Sequence, residues 1–167
     1  MFNIGEKIVY PIHGAGVIES IEEREILGER RKYYIMKMPI GDMQVMIPLD
    51  NMEDIGIRKV IDSEEIENVL AVLASDTTKM HQNWNRRYRA NMDLIKTGDI
   101  YEIADVVRNL TLMDKEKGLS TGERKMLSNA RQILLSEIVL VAEISEEEAT
   151  NLIETVIMQQ NMPDTAL

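Results

Sequence analysis

The sequence contains no cysteine, which excludes a disulfide scaffold, a thiolate metal site and a cysteine nucleophile. Only two histidines occur, His13 and His81, far apart and without H-E-x-x-H spacing, so little is left for an imidazole metal centre. Aromatic residues are scarce at 4%, with a single Trp and a single Phe. Excess positive charge is lacking too: 19 Lys+Arg face 29 Asp+Glu, a formal net charge of -10. Taken whole, that balance argues against autonomous binding to nucleic acid. No apolar run approaches the roughly 20 residues that span a bilayer, and MFNIGEKIVYPIHG has neither a basic n-region nor an apolar h-region. The expectation is a soluble protein of a reducing cytoplasm.

What is present is a chain of 167 residues, 44% hydrophobic, enough for one mid-sized domain or two small ones. Gly and Pro are unevenly spread: nine of the thirteen lie in the first 56 residues, whereas eight of nine alanines lie beyond residue 70. The early segments EKIVYP, AGVIESIEEREIL, RRKYYIMKM and DMQVMIP are rich in β-branched and Tyr residues with period-two stretches, separated by turn signals at HGAG, Gly28 and Pro39 to Asp42. Four or five short antiparallel strands in about 55 residues predict a small barrel, SH3-like or Tudor-like. After Arg58 the pattern changes to helix starts of the form Asp62-x-x-Glu65, Asp99-x-x-Glu102, Ser120-x-x-Glu123 and Ser145-x-x-Glu148. Apolar stripes of helical period follow each, and a further helix, Asn83 to Lys96, carries Trp84, Tyr88, Met92 and Ile95 and stops at Gly98. The expected class is α+β in two domains: a β-barrel over residues 1–58, a linker at 59–62, a compact five-helix domain over 63–160, and a frayed tail at 161–167.

Catalytic patterns are missing. His13-Gly14 followed by Gly16 invites comparison with an oxyanion-hole motif, but no G-x-S-x-G elbow accompanies it, and a tight turn is the simpler reading. There is no Walker A pattern and no dinucleotide fingerprint, and the paired carboxylates at Glu22 and Glu23 or Glu146 to Glu148 suit solvated faces and helix starts. No enzyme and no cofactor emerge.

The segment from Lys79 to Arg89 is different. It holds Lys79, Arg86, Arg87 and Arg89, no acid, and the sole Trp, Trp84, preceded by Asn83 and followed by Tyr88. Cations neutralise phosphate while an indole stacks on bases or wedges between them. A Trp on an apolar stripe also fits a helical core or a protein-binding hot spot, and the pattern leaves all three open. A weaker cluster, Lys115, Lys117, Arg124, Lys125 and Arg131, suits either solvated surface or auxiliary phosphate contacts. Beyond Gln132 lie seven acids and no Lys or Arg, so most of the negative charge belongs to the C-terminal helices. A locally basic, Trp-bearing edge is therefore compatible with the total.

The residues resemble a known family, the CarD/CdnL bacterial transcription factors, whose N-terminal RNA-polymerase-interacting module is shared with the transcription-repair coupling factor. GEKIVYPIHGAGVIESIEER and GDMQVMIP resemble that module; NWNRRYRANMDLIKTGDIYEIADVVRNL and KGLSTGERKML resemble the C-terminal helical domain. The resemblance implies a non-enzymatic, monomeric regulator of initiation, acting in the nucleoid through RNA polymerase. Its module would bind the polymerase β subunit, partly by strand addition. Its helical domain would put Trp84 into the minor groove at the upstream edge of the transcription bubble, largely without sequence preference, and stabilise the open complex. It implies DNA contacts at Trp84, Arg86, Arg87, Tyr88 and Arg89, to which the local pattern adds Lys79, Asn83, Arg124 and Lys125, and polymerase contacts at Arg24 and at Gln44, Val45, Met46 and Ile47. Met46 departs from the family's basic residue there, so an apolar contact, or a compensating change in the partner, would have to replace a salt bridge.

Overall fold

The computed structural model describes residues 2–160; the expected tail, 161–167, lies outside the described residues. Four strands fall where the period-two segments predict them: β1 Lys7–Tyr10, β2 Gly14–Ile26, β3 Glu29–Lys37 and β4 Gln44–Pro48. A single helical turn, α1 Met52–Ile55, then leads to a two-residue strand, β5 Arg58–Lys59. All pairings are antiparallel and the order is β4-β3-β2-β1-β5. The expected barrel is not closed. Closure would need β4 and β5, the two outer strands, to pair with each other. Instead α1 and Gly56, at φ +81°, turn the chain back to the far edge, where β5 adds only two residues to β1. The space a closed barrel would seal is filled from one side by Met52, Ile55 and Ile57, packed on a core of Ile8, Ile18, Tyr34, Met36, Met38 and Ile47.

The HGAG stretch is a tight turn. His13 N–H donates to the Tyr10 carbonyl at 3.0 Å and the two rings lie 4.4 Å apart. Gly14, at φ +109°, permits both the turn and a close approach, since a Cβ there would stand 2.7 Å from Ser136 Oγ.

Among the described residues there are six α-helices, one more than expected, because the single turn α1 carries no periodic stripe. The other five are α2 Ile66–Ala74, α3 Trp84–Lys96, α4 Ile100–Glu116, α5 Thr121–Ala142 and α6 Glu146–Gln160. Their stripes meet in one core, with Val69, Leu73, Ile103, Ala104, Val107, Leu110, Ala130, Leu134, Ile138 and Ile153 all buried. Reciprocal side-chain bonds close at Asp62/Glu65 and Ser145/Glu148. At the start of α5 only half of that arrangement forms: Ser120 Oγ accepts from Glu123 N–H, but the Glu123 carboxylate is drawn elsewhere. No helix is long and apolar enough to cross a membrane among the described residues.

Candidate functional site

Helix α3 begins with the Asn83 side chain accepting from Arg86 N–H at 3.1 Å, which satisfies one of the orphan donors of the first turn. Its apolar stripe changes character along the axis. Ile95 is 3% exposed, Met92 and Tyr88 are half-buried, and Trp84 at the first helical position is 41% exposed. The N-terminal end of α3 therefore overhangs the core, and the indole sits on the surface rather than in the helical interior.

That indole is held in one orientation. It stacks on Tyr88, one turn along, with ring centroids 5.1 Å apart and planes 19° from parallel. Its Nε1–H donates to Ser120 Oγ at 2.9 Å. Against Gly122 the fit is close: a Cβ there would lie 3.4 Å from Trp84 Cζ2. Ser120 is thus both the N-cap of α5 and the acceptor that pins the ring. The outward face of the indole is left free at the meeting point of two helix N-termini, whose partial positive charge favours anions.

Beneath the stack, Arg87 forms a two-pronged ion pair with Glu123, Nε to Oε2 at 2.7 Å and Nη2 to Oε1 at 3.1 Å. Their side chains are 13% and 2% exposed. Arg87 Nη1 also donates to the carbonyls of His81 and Gln82, each at 3.2 Å. The hydrogen bond from Arg87 holds the Glu123 carboxyl below the ordinary glutamate range against its desolvation, and Glu123 raises the Arg87 guanidinium in turn. A carboxylate with a lowered folded pKa stabilises the fold fully above its unfolded value, near 4.3, and that contribution is lost as the pH falls through the folded value. Acid titration is therefore expected to release the Trp84 site only when the pH falls below the ordinary glutamate range, through the lowered value of Glu123. Trp84 emission followed against pH checks this; a signal flat down to global unfolding would contradict it.

The approach to α3 is anchored by a second polar cluster. Arg108, 1% exposed, donates to the Val72 carbonyl at the end of α2 and pairs with Asp105. Its neighbour Asn109 donates to Thr78 Oγ1 at 2.7 Å and accepts from Thr78 N–H at 3.2 Å. The segment between α2 and α3 is thereby tied to α4. Thr78, Asp105, Arg108 and Asn109 carry no sequence motif, and only an unusually buried arginine on a helix face marks them.

The basic residues separate into groups. Arg87 is committed inside the protein. Arg86 and Arg89 are exposed and line one shallow concavity with His81, Asn85 and Asp93; at about 100° per residue they occupy the flank of α3 turned away from Trp84 and Tyr88. Lys79 is exposed just before the helix. Arg124 is exposed, with Nε 3.3 Å from the Leu119 carbonyl and Nη2 3.7 Å from Asp114. Lys125, also exposed, stands three residues after Gly122 and so one turn along the flank of α5 that touches the indole.

On the sheet, β4 is an outer strand whose far side is unpaired among the described residues. Met38 N–H donates to the Met43 carbonyl, so with alternation the inward-bonded positions of β4 are Val45 and Ile47, opposite Met36 and Tyr34. Gln44, Met46 and Pro48 then direct their backbone polar groups to the open edge, and Pro48 has no N–H to leave unpaired. Ile47 is fully buried and Val45 packs on the sheet core, so of the four strand residues Gln44 and Met46 are the two that face outward. Arg24, on β2, binds Glu22 at 2.7 Å and sits two strands across, past the end of β4.

Comparison with known proteins follows this division of the chain. Residues 2–61 match the CarD-like/TRCF RID domain and residues 68–154 match the C-terminal domain of CarD. The chain is also 44% identical, over 148 residues, to YdeB of Bacillus subtilis (strain 168), named as a candidate transcription factor; the match covers 89% of this chain and 97% of that protein.

Proposed function

The chain belongs to the CarD family, and on that premise we propose that it is a non-enzymatic regulator that binds RNA polymerase and steadies the promoter open complex. The polymerase-docking part is residues 1–58, with the open edge of β4 adding to a strand of the β subunit. The DNA-contacting part is residues 63–160, with Trp84 entering the minor groove at the upstream edge of the bubble. One observation carries this reading above all: a half-exposed indole, stacked on Tyr88 and pinned by Ser120, placed between two helix N-termini. A residue built to fill a core needs no such fixing from outside, whereas a wedge must be stiff before it meets DNA.

The groove-facing role does not require sequence reading, because unstacking is cheapest at a junction already partly melted. Cations are then needed for position rather than for strong affinity. Lys125 serves one strand near the indole, Arg86 and Arg89 meet phosphate on the other flank of α3, and Lys79 adds a cation in the segment before that helix. Attachment to polymerase raises the local concentration of the wedge to the millimolar range, which reconciles a net charge of -10 with a DNA contact.

Strand addition is tested through the backbone of β4. Met46→Pro removes an edge-directed N–H without touching the inward bonds to β3, and is expected to weaken binding to the isolated polymerase β lobe about tenfold. Met46→Ala retains the backbone and should bind within about threefold of wild type. Equal affinity for Met46→Pro and wild type would remove the pairing strand from the mechanism.

A further inference from the structure

One arginine joins the sheet to both helices that build the Trp84 site. Arg58 on β5 donates Nη1 to Glu137 Oε2 and Nη2 to Glu137 Oε1, each at 2.8 Å. The same guanidinium donates to the Gly98 carbonyl from Nε at 3.0 Å and from Nη2 at 2.7 Å. Glu137, 4% exposed in its side chain, lies on α5, whose first turn holds Ser120, Gly122 and Glu123. Gly98 lies two residues past the end of α3, which begins with Trp84. The Glu137 carboxylate also accepts from Ile61 N–H at 2.9 Å, which ties down the chain between β5 and α2.

Other contacts also join the sheet to the helices, with Gly14 packed close against Ser136 and Ile133 of α5. Ala15 N–H donates to Ser136 Oγ at 2.8 Å, and Lys7 Nζ donates to the Leu140 carbonyl at 3.0 Å. Strand β5 itself meets β1 at only two register positions, Ile8 with Lys59 and Val9 with Arg58. A two-pronged arginine–carboxylate pair is different in kind, because its planar fork sets an angle as well as a distance, and lysine cannot reproduce it.

We propose that Arg58 is a positioning residue for Trp84, holding the β4 edge and the indole at one fixed distance and angle. The inference rests on the reading of Trp84 as the DNA contact. Two linked sites act together only when their separation matches the span they must bridge, and a link that wanders spreads the second site over a larger volume. With polymerase holding one end and the bubble edge fixed relative to it, a rigid junction keeps the indole where it is used. Arg58 touches neither partner.

The absence of cysteine allows clean spin labelling at Met43→Cys, 61% exposed on the sheet side, and at Lys117→Cys, exposed between α4 and α5. Pulsed dipolar spectroscopy on the full chain is expected to give one narrow distance, broadened in Glu137→Gln and in Arg58→Lys. Without labels, the same two variants should shorten the lifetime of a competitor-challenged open complex about three- to tenfold. Affinity for the β lobe and Trp84 emission, which report the two ends separately, should stay at native values. A folded variant with a distribution as narrow as native, or a broadened one with native lifetime, overturns the proposal. If Trp84→Ala leaves the lifetime unchanged, the wedge reading fails, while the distance measurement still decides whether Arg58 fixes the geometry.

Discussion

Trp84→Ala is expected to shorten the lifetime of the promoter open complex about ten- to hundredfold while leaving polymerase affinity unchanged. Stacking of an aromatic side chain on a base contributes roughly 1 to 3 kcal/mol, and about 1.4 kcal/mol is a factor of ten in an equilibrium. The indole is already immobilised by Tyr88 and Ser120, so little of that energy is spent on ordering it. Stability should fall by little, because a ring that is 41% exposed contributes less burial than a core aromatic. Lifetimes measured with a competitor that traps free polymerase, beside a β-lobe binding assay, check both halves. A folded variant with the native lifetime removes the wedge and leaves Trp84 as a contact for protein alone. Ser120→Ala gives the intermediate case, since the indole keeps its stack on Tyr88 but loses the acceptor that fixes its edge.

Glu123→Ala is expected to cost about 3 to 5 kcal/mol in folding stability, because it leaves the Arg87 guanidinium buried without its counter-charge. At roughly 2 to 4 °C per kcal/mol for a chain of this size, the melting temperature should drop by about 10 °C. The pair joins α3 to α5 directly under the Trp84–Tyr88 stack, so the variant should also loosen the indole and redden its emission. Arg87→Met combined with Glu123→Leu tests the cause. A buried pair replaced by apolar groups of similar volume is often near neutral, so the double variant should recover most of the loss. Thermal melts of both variants decide it; a Glu123→Ala protein within about 1 kcal/mol of wild type would show that the pair holds nothing together.

The contrast between Arg87 and its neighbours shows how far a residue pattern reaches. From Lys79 to Arg89 the sequence presents four equivalent cations, yet only three face solvent. The fourth is matched to a carboxylate 36 positions away. No feature near Arg87 announces that partner, and Glu123 itself reads as the far member of a capping box with Ser120. Both readings are local, and both yield to an interaction formed only when α3 packs beside the start of α5. The same holds for Val45 and Ile47, grouped with Gln44 and Met46 as contacts: period two separates them cleanly, but which set faces inward depends on what covers the sheet.

Local physics decided where the elements lie. Backbone freedom at glycine, the capping of orphan N–H groups by Asp, Asn and Ser, and apolar periods of two or near 3.6 are properties of neighbouring residues, and they place four strands and five helices without reference to the rest of the chain. They also put Trp84 and Tyr88 on one helix face. Whether that face at its first turn is core or surface, which arginine is spent inside, why the sheet stays open, and how Arg58 links its edge to the Trp84 helices were decided by contacts between residues tens of positions apart. Such contacts depend on where the elements pack, and a period read along the chain says which residues share a face but not what that face will meet.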